Sequence, residues 1–443
     1  MLSSLVATFR TPDLRKKIFF VLGILVLYRL GATLPSPGVD FGEINRCVDA
    51  ASRGDSGQIY SLINMFSGGA LLQLSVFAIG IMPYITASII VQLLTVVIPR
   101  FEQLRKEGQS GQNKMTQYTR YLTVALALLQ STGIVALAAN GNLLPSSGAD
   151  CDPEAILHDK SILGLTLMVL VMTAGATLVM WFGELITERG VGNGMSLLIF
   201  AGIAARLPAE GRTILQSRGG LMFGLVCVAV LIILLAVVFI EQGQRRVPVQ
   251  YAKRMVGRKM YGGSSTYIPI KVNTAGVIPV IFASSLLYIP QLIISVTQGS
   301  SEVSGWQLWI QDNLVDPGSW VHIAVYFLLI IFFTYFYVAV TFNPEERADD
   351  MKRYGGFIPG IRPGKPTADY LSFVLSRITL PGSLYLGIIA ILPNLFLEIG
   401  NSSSVANLPF GGTALLIMVA VGLDTLKQIN SQLMQRKYEG FLK

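Results

Sequence analysis

What most constrains this chain is the return, again and again, of apolar stretches close to membrane length. About 20 apolar residues make a spanning helix. Such windows fall at about 18–34, 74–98, 121–139, 162–182, 192–207, 221–240, 274–296, 321–342, 373–397 and 408–426. With 52% of its residues hydrophobic and 14% charged, the chain has no way to hide this surface in a soluble core, and an all-α integral membrane protein is expected. Arg15, Lys16 and Lys17 precede the first apolar run, but no small-residue cleavage site follows it, so that run reads as a retained helix.

Two of the windows are broken in the same way. Asn64–Leu94 contains Gly68-Gly69, Gly80 and Pro83, residues that cost a helix roughly 1 kcal/mol (Gly) and 3 kcal/mol (Pro). In lipid the freed backbone groups must be satisfied inside the protein or along a wet cavity. Gly80-Ile81-Met82-Pro83-Tyr84-Ile85-Thr86-Ala87-Ser88 then reads without a gap against Gly276-Val277-Ile278-Pro279-Val280-Ile281-Phe282-Ala283-Ser284. Matched, interrupted segments in two halves of a membrane protein mark the working site of an inverted repeat.

Ten spans divide into two sets of five, and an odd number forces the second set to enter from the opposite side. The expected organisation is an N-terminal half (residues 1–207), an external hinge loop (208–220) and a C-terminal half (221–443). Most of the 34 Lys and Arg residues lie in segments on one side, which puts that side and both termini in the cytoplasm. Two cytoplasmic segments are long and basic. Residues 241–273 carry Arg245, Arg246, Lys253, Arg254, Arg258, Lys259 and Lys271, and residues 343–377 carry Arg362 among others. Anionic lipid accounts for the sign of the charge but not for loops of this length with their own turn signals. These point to a large acidic or phosphate-rich partner.

Little here does covalent chemistry. The sequence has no HExxH, P-loop or GxSxG pattern, and no spacing suited to a metal. His158 and His322 are isolated, as a loop residue and an interfacial residue. Cys227 reads as inert packing. Cys47 and Cys151 lie in external loops, where either a disulfide or two free thiols is allowed and free thiols are the plainer reading. Asp424 is the one acid well inside a span. An ion-coupled transporter, the main competing reading, usually needs buried charge near the midplane. What the midplane holds instead is aliphatic. Ile81 and Ile85 share a helix face, as do Met195 and Ile199, and a pore closed by such side chains gates by dewetting. That suits a large, extended and chemically variable substrate. The segment Ser61–Gln73 is too short to span. It reads equally as a surface helix or as a fold-back stopper.

Eight stretches carry a resemblance to one family: 66–97, KMTQYTRY (114–121), GELITERGVGNGMSLLIFAGI (183–203), EQGQRRVPVQYAKR (241–254), KVNTAGVIPVIFASS (271–285), FNPEERADDMK (342–352), FIPGIRPG (357–364) and LPFGGTALLI (408–417). In these the chain resembles the SecY family, the channel subunits of the bacterial protein translocon, over nearly its whole length. The resemblance implies an hourglass of ten helices. It would pass unfolded preproteins and signal peptides, and would release apolar segments sideways into membrane lipid. Carried over by position, the pore ring is Ile81, Ile85, Met195, Ile199, Ile281 and Ile417, where Met195 departs from an all-isoleucine ring. The plug includes Ser61, Asn64, Phe66, Ser67, Gly68, Gly69 and Leu72. The lateral gate sets Ser88, Ile89 and Gln92 against Ile278, Phe282 and Ser285. Contacts with a motor or ribosome fall on Arg245, Arg246, Lys253, Arg254, Arg258, Lys259 and Arg362. The implied partners are SecE, a SecG-type subunit, the SecA ATPase and the ribosome. No cofactor, metal or catalytic residue is expected, and the implied location is the bacterial cytoplasmic membrane.

Overall fold

The computed structural model describes residues 11–40, 42–44, 46–47, 69–71, 73–139, 156–157, 160–251, 254–256, 259–261, 265–297, 305–315, 319–399 and 412–439. In chain order these form helices α1 (Pro12–Thr33), α2 (Met82–Val97), α3 (Pro99–Lys106), α4 (Gln109–Ala139), α5 (Ile162–Arg189) and α6 (Gly194–Gln242). Strands β1 (Gln244–Tyr251), β2 (Arg254–Val256), β3 (Lys259–Tyr261) and β4 (Ser265–Lys271) follow. The chain continues through α7 (Ile278–Thr297), α8 (Gly305–Ile310), α9 (Trp320–Thr341), α10 (Pro344–Arg353), β5 (Gly356–Phe357), α11 (Lys365–Ile399) and α12 (Gly412–Glu439).

By length and composition, the helices over Gln109–Ala139, Ile162–Arg189, Trp320–Arg353, Lys365–Leu392 and Thr413–Met434 can each cross a membrane. Helices α2 and α3 qualify together but bend by 100° at their junction, where Pro99 follows extended Ile98. Large side chains such as Phe19, Val26, Leu170, Leu231, Leu235, Phe239 and Leu328 face outward. In water so much outward apolar surface would be a liability; on a multi-pass membrane protein it is the lipid face.

The two broken windows fold alike. Gly80 has φ 60° and Gly276 has φ 64°, a left-handed conformation that glycine adopts without penalty. Each is followed two residues later by a helix, α2 and α7. The backbone bonds match as well: the amides of Tyr84 and Ile85 donate to the Ile81 carbonyl, and those of Val280 and Ile281 to the Val277 carbonyl. The proline falls in the first turn of each helix, where its missing N–H costs nothing.

Several expectations need correcting. The window at 74–98 is helical only from Met82; residues 73–81 are turns, with Leu74 at φ 46°. Beyond the tenth window, α12 continues as a polar helix to Glu439. Residues 208–220, expected as a loop, are helical and lie inside α6, with Pro208 within the helix. A straight α6 of 49 residues would be about 73 Å long, more than twice the roughly 30 Å hydrocarbon core. It is not straight. A methyl group at Gly211 would lie 3.7 Å from the Phe223 ring, although the residues between them would rise about 18 Å in an unbent helix. The chain therefore doubles back between the fifth and sixth windows, and helical turns do the work assigned to a loop.

The basic segments are not loose loops. β1 pairs antiparallel with both β4 and β5, so the two segments meet in one sheet. Val247 and Val249 point from β1 onto Met351, Ile358, Leu371 and Leu375, a small core of its own. Cys47 is disulfide-bonded, which corrects the reading of free thiols. It is buried with Ile44, Leu71, Leu74, Ile156 and Leu157. Cys151 and His158 lie outside the described residues. His322 is buried rather than interfacial, with Nδ1 2.6 Å from the Leu314 carbonyl oxygen.

Candidate functional site

Aliphatic side chains from helices far apart in the chain meet in one large apolar cluster. The turn at Gly80 aims Ile81 inward, and one helical turn later Ile85 follows it on the same face. The corresponding turn at Gly276 places Ile281 at the position equivalent to Ile85. Asn193 caps α6, its side chain accepting from the Met195 amide at 3.1 Å. Gly194 tucks that helix start against α5, since a methyl there would meet the Gly183 carbonyl at 1.9 Å. Met195 and Ile199 then lie on the inner side of α6. Ile417 comes from α12, within a run of buried residues from Ala414 to Ile417.

All six expected ring positions join one apolar cluster. Ile81, Ile85, Ile199, Ile281 and Ile417 are its buried members and Met195 packs against it. The five isoleucines are between 0% and 7% exposed. Gly183 supplies a smooth wall: a methyl there would stand 3.5 Å from Leu198, 3.6 Å from Ile81 and 3.6 Å from Met195. Among the described residues no group of His, Cys, Asp and Glu could hold a metal ion.

Of the plug positions, Ser61, Asn64, Phe66, Ser67, Gly68 and Leu72 lie outside the described residues. Gly69 lies in a turn at φ 96°. The gate positions divide. α7 packs chiefly on α9 but also touches α2 and α4, and this contact is the seam between the halves. Ser88, Ile89 and Gln92 lie on α2, with Gln92 Nε2 3.5 Å from Ser88 Oγ. Ile278 is half-buried against the cluster, and Ser285 donates to the Ile281 carbonyl of its own helix at 2.8 Å. Phe282 turns the other way. Its ring meets Phe333 at 5.7 Å and Tyr337 at 6.4 Å, both edge-on from α9, so it ties α7 to α9 instead of facing α2.

On the basic side, Arg245, Arg246 and Arg362 are exposed, and the Arg246 guanidinium lies 4.8 Å from the centre of the Tyr267 ring. The backbones of Arg254 and Lys259 belong to the β2–β3 hairpin, whereas Lys253 and Arg258 lie outside the described residues. On nearby α3, the exposed Glu102 carboxyl is held below its usual range by its hydrogen bond to Lys106.

Sequence reasoning missed the glycines that let helices touch the two broken segments. A methyl at Gly175 on α5 would meet the Val76 carbonyl at 1.9 Å, and one at Gly382 on α11 would meet the Val272 carbonyl at 2.4 Å. Val76 and Val272 each stand four residues before the matched glycines. The signal was present, as glycines within the fourth and ninth windows, but only the fold shows what they approach.

A family model for SecY matches residues 75–426. A relative from Mycobacterium tuberculosis, described as protein translocase subunit SecY, is 70% identical over 446 residues, covering 100% of both chains. Relatives of the same description from Corynebacterium glutamicum and Streptomyces coelicolor are 62% and 60% identical, again over 100% of both chains. The fold is similar to a solved structure titled as that of a protein conducting channel, with a TM-score of 0.61, 19% identity, and coverage of 93% of this chain and 91% of that one. It is also similar to Sec61 in a canine ribosome–channel complex from the endoplasmic reticulum, with a TM-score of 0.57, 18% identity and the same coverage.

Proposed function

The chain belongs to the SecY family, and from that membership we infer that it is a protein-conducting translocation channel. Unfolded preproteins cross through the ring of Ile81, Ile85, Met195, Ile199, Ile281 and Ile417, and apolar segments leave sideways through the seam between α2 and α7. The observation that carries this reading is the meeting of aliphatic side chains from both halves in one buried cluster. Such a constriction binds no sequence in particular and seals by dewetting. Lateral release follows from partition, because Leu, Ile, Phe and Val favour the bilayer centre by about 0.3–0.6 kcal/mol each while Asp, Lys and Arg cost about 2.5–3.5.

In the same reading the protein sits in the bacterial cytoplasmic membrane with both termini inside. Residues 1–207 and 221–443 act as two halves hinged over 208–220, and residues 61–73 act as the plug. SecE and a SecG-type subunit complete the complex. SecA or the ribosome drives the substrate from the basic sheet around Arg245, Arg246 and Arg362. The chain has no nucleotide-binding motif, so the energy comes from these partners or from the proton-motive force. The canine neighbour, solved on a ribosome, supports the ribosome as one of them.

The test is conductance across planar bilayers. Ile85→Gly or Ile281→Gly is expected to raise resting ion conductance severalfold above the parent, since either removes a buried side chain from a dry seal. Parent-like tightness in both variants overturns the ring. A stalled preprotein is expected to crosslink to cysteines placed at Ile85 and Ile281, and a stalled chain that reaches neither has taken another path.

A further inference from the structure

Beneath the constriction, on the cytoplasmic side of the second half, lies a polar cluster that the proposed function does not use. Glu241, at the end of α6, is only 3% exposed. It accepts from Asn273 Nδ2 at 3.0 Å, and the same Nδ2 donates to the Gly276 carbonyl at 3.1 Å. Asn273 thereby braces the left-handed turn from which α7 starts. Lys271 pairs with Asp424 on α12 at 3.2 Å, and Lys427 interacts electrostatically with Lys271, Asp424 and Glu241. Two acids and two bases leave the cluster neutral overall.

Two atoms in it are unmatched. Asn273 Oδ1 and the Tyr385 hydroxyl are both buried without a hydrogen-bond partner. Both belong to one region of the fold. Gly382 lies one turn before Tyr385 on the same face of α11, and a methyl at Gly382 would stand 2.4 Å from the Val272 carbonyl and 3.9 Å from the Asn273 Cα. Tyr385 is also within electrostatic range of Glu241. One atom is an acceptor and the other a donor, and each costs this closed arrangement the desolvation of an unpaired polar group.

We propose that Tyr385 and Asn273 are positioning residues for gating: a buried donor and acceptor held apart while the channel is closed, which bond when α7 withdraws from α2 and α4. Any movement of α7 away from that seam carries its root toward its own half, where α9 and α11 stand. The same cluster joins the basic sheet, through Lys271 at the end of β4, to α12, where Asp424 lies two turns from Ile417. A push on the cytoplasmic sheet therefore acts at the base of both Ile281 and Ile417. The inference rests on the channel reading.

Membrane vesicles containing the complete complex test it. Tyr385→Phe removes only the hydroxyl. It is expected to slow preprotein import about fivefold, the factor that corresponds to about 1 kcal/mol, while resting conductance stays at the parent value and the thermal midpoint does not fall. Import at the parent rate, or a lowered midpoint that accounts for the slowing, overturns the proposal. The doubly substituted Tyr385→Cys, Asn273→Cys protein supplies a second readout. Its oxidative crosslinking is expected to rise when a preprotein is stalled in the channel, and equal yields with and without the preprotein overturn the proposal. Failure of the parent vesicles to import would strike the channel reading itself, whereas the ratio of variant to parent reports on the latch alone.

Discussion

Gly80–Val97 and Gly276–Thr297 are one device built twice, and their surroundings differ completely. In both, a glycine near φ 60° turns the chain, a proline enters the first helical turn and an isoleucine enters the cluster. In both, a valine carbonyl four residues upstream touches a glycine on another helix. The roots are unlike. The first is a run of turns pinned to the end of α1, with the Ser36 amide donating to the Leu74 carbonyl and the Val76 amide to the Leu34 carbonyl. It is packed by Ile44, disulfide-bonded Cys47, Leu71 and Ile156. The second root is strand β4, laddered to β1 and braced by Glu241 and Asn273. The start of each helix is a local matter, whereas its anchor is set by the chain that leads into it.

The comparison can be broken where the roots differ most. Leu74→Ala removes a side chain with no exposure and is expected to cost about 2–5 kcal/mol. Ile270→Ala, at the equivalent place in β4 and 2% exposed, should cost less because the ladder persists. Thermal unfolding of the two purified variants decides, and an equal loss would mean that the strand adds nothing to the second root. Next come the contact glycines. Gly175→Ala and Gly382→Ala are each expected to cost about 1–3 kcal/mol by overpacking, with Gly175 the worse because its methyl would meet backbone at 1.9 Å rather than 2.4 Å. The reverse order would show that the first root yields more readily than the second. The smallest effect tests what the halves share. Gly80→Ala and Gly276→Ala should each cost about 1–2 kcal/mol for placing a Cβ at positive φ, and a clear inequality in unfolding would separate turns that have nearly the same φ.

Much of this was legible in the chain. The Gly/Pro spacing fixed where α2 and α7 begin, and the aliphatic positions at helical intervals identified residues that meet in the cluster. The resemblance set Phe282 opposite α2, and a position carried over in that way cannot say which neighbour takes its ring; Phe333 and Tyr337 do. Residues 208–220 were misread because Pro and Gly in a polar stretch signal a loop, while helical turns that double back satisfy the same backbone. Glu241 was counted among loop residues because a single acid carries no sign of burial. Its partner Asn273 lies far along the chain.

From its residues alone this protein was bound to be a membrane-embedded bundle with two matched Gly/Pro-broken segments and two long basic stretches, since apolar length, Gly/Pro punctuation and charge bias all act over a few helical turns. Only the tertiary structure decided that two distant basic segments share a sheet, that Gly175 and Gly382 admit carbonyls no side chain would tolerate, and that the Tyr385 hydroxyl and Asn273 Oδ1 are both buried without a partner. Those facts depend on which helices lie against one another, and packing of that kind leaves no periodic trace in a sequence.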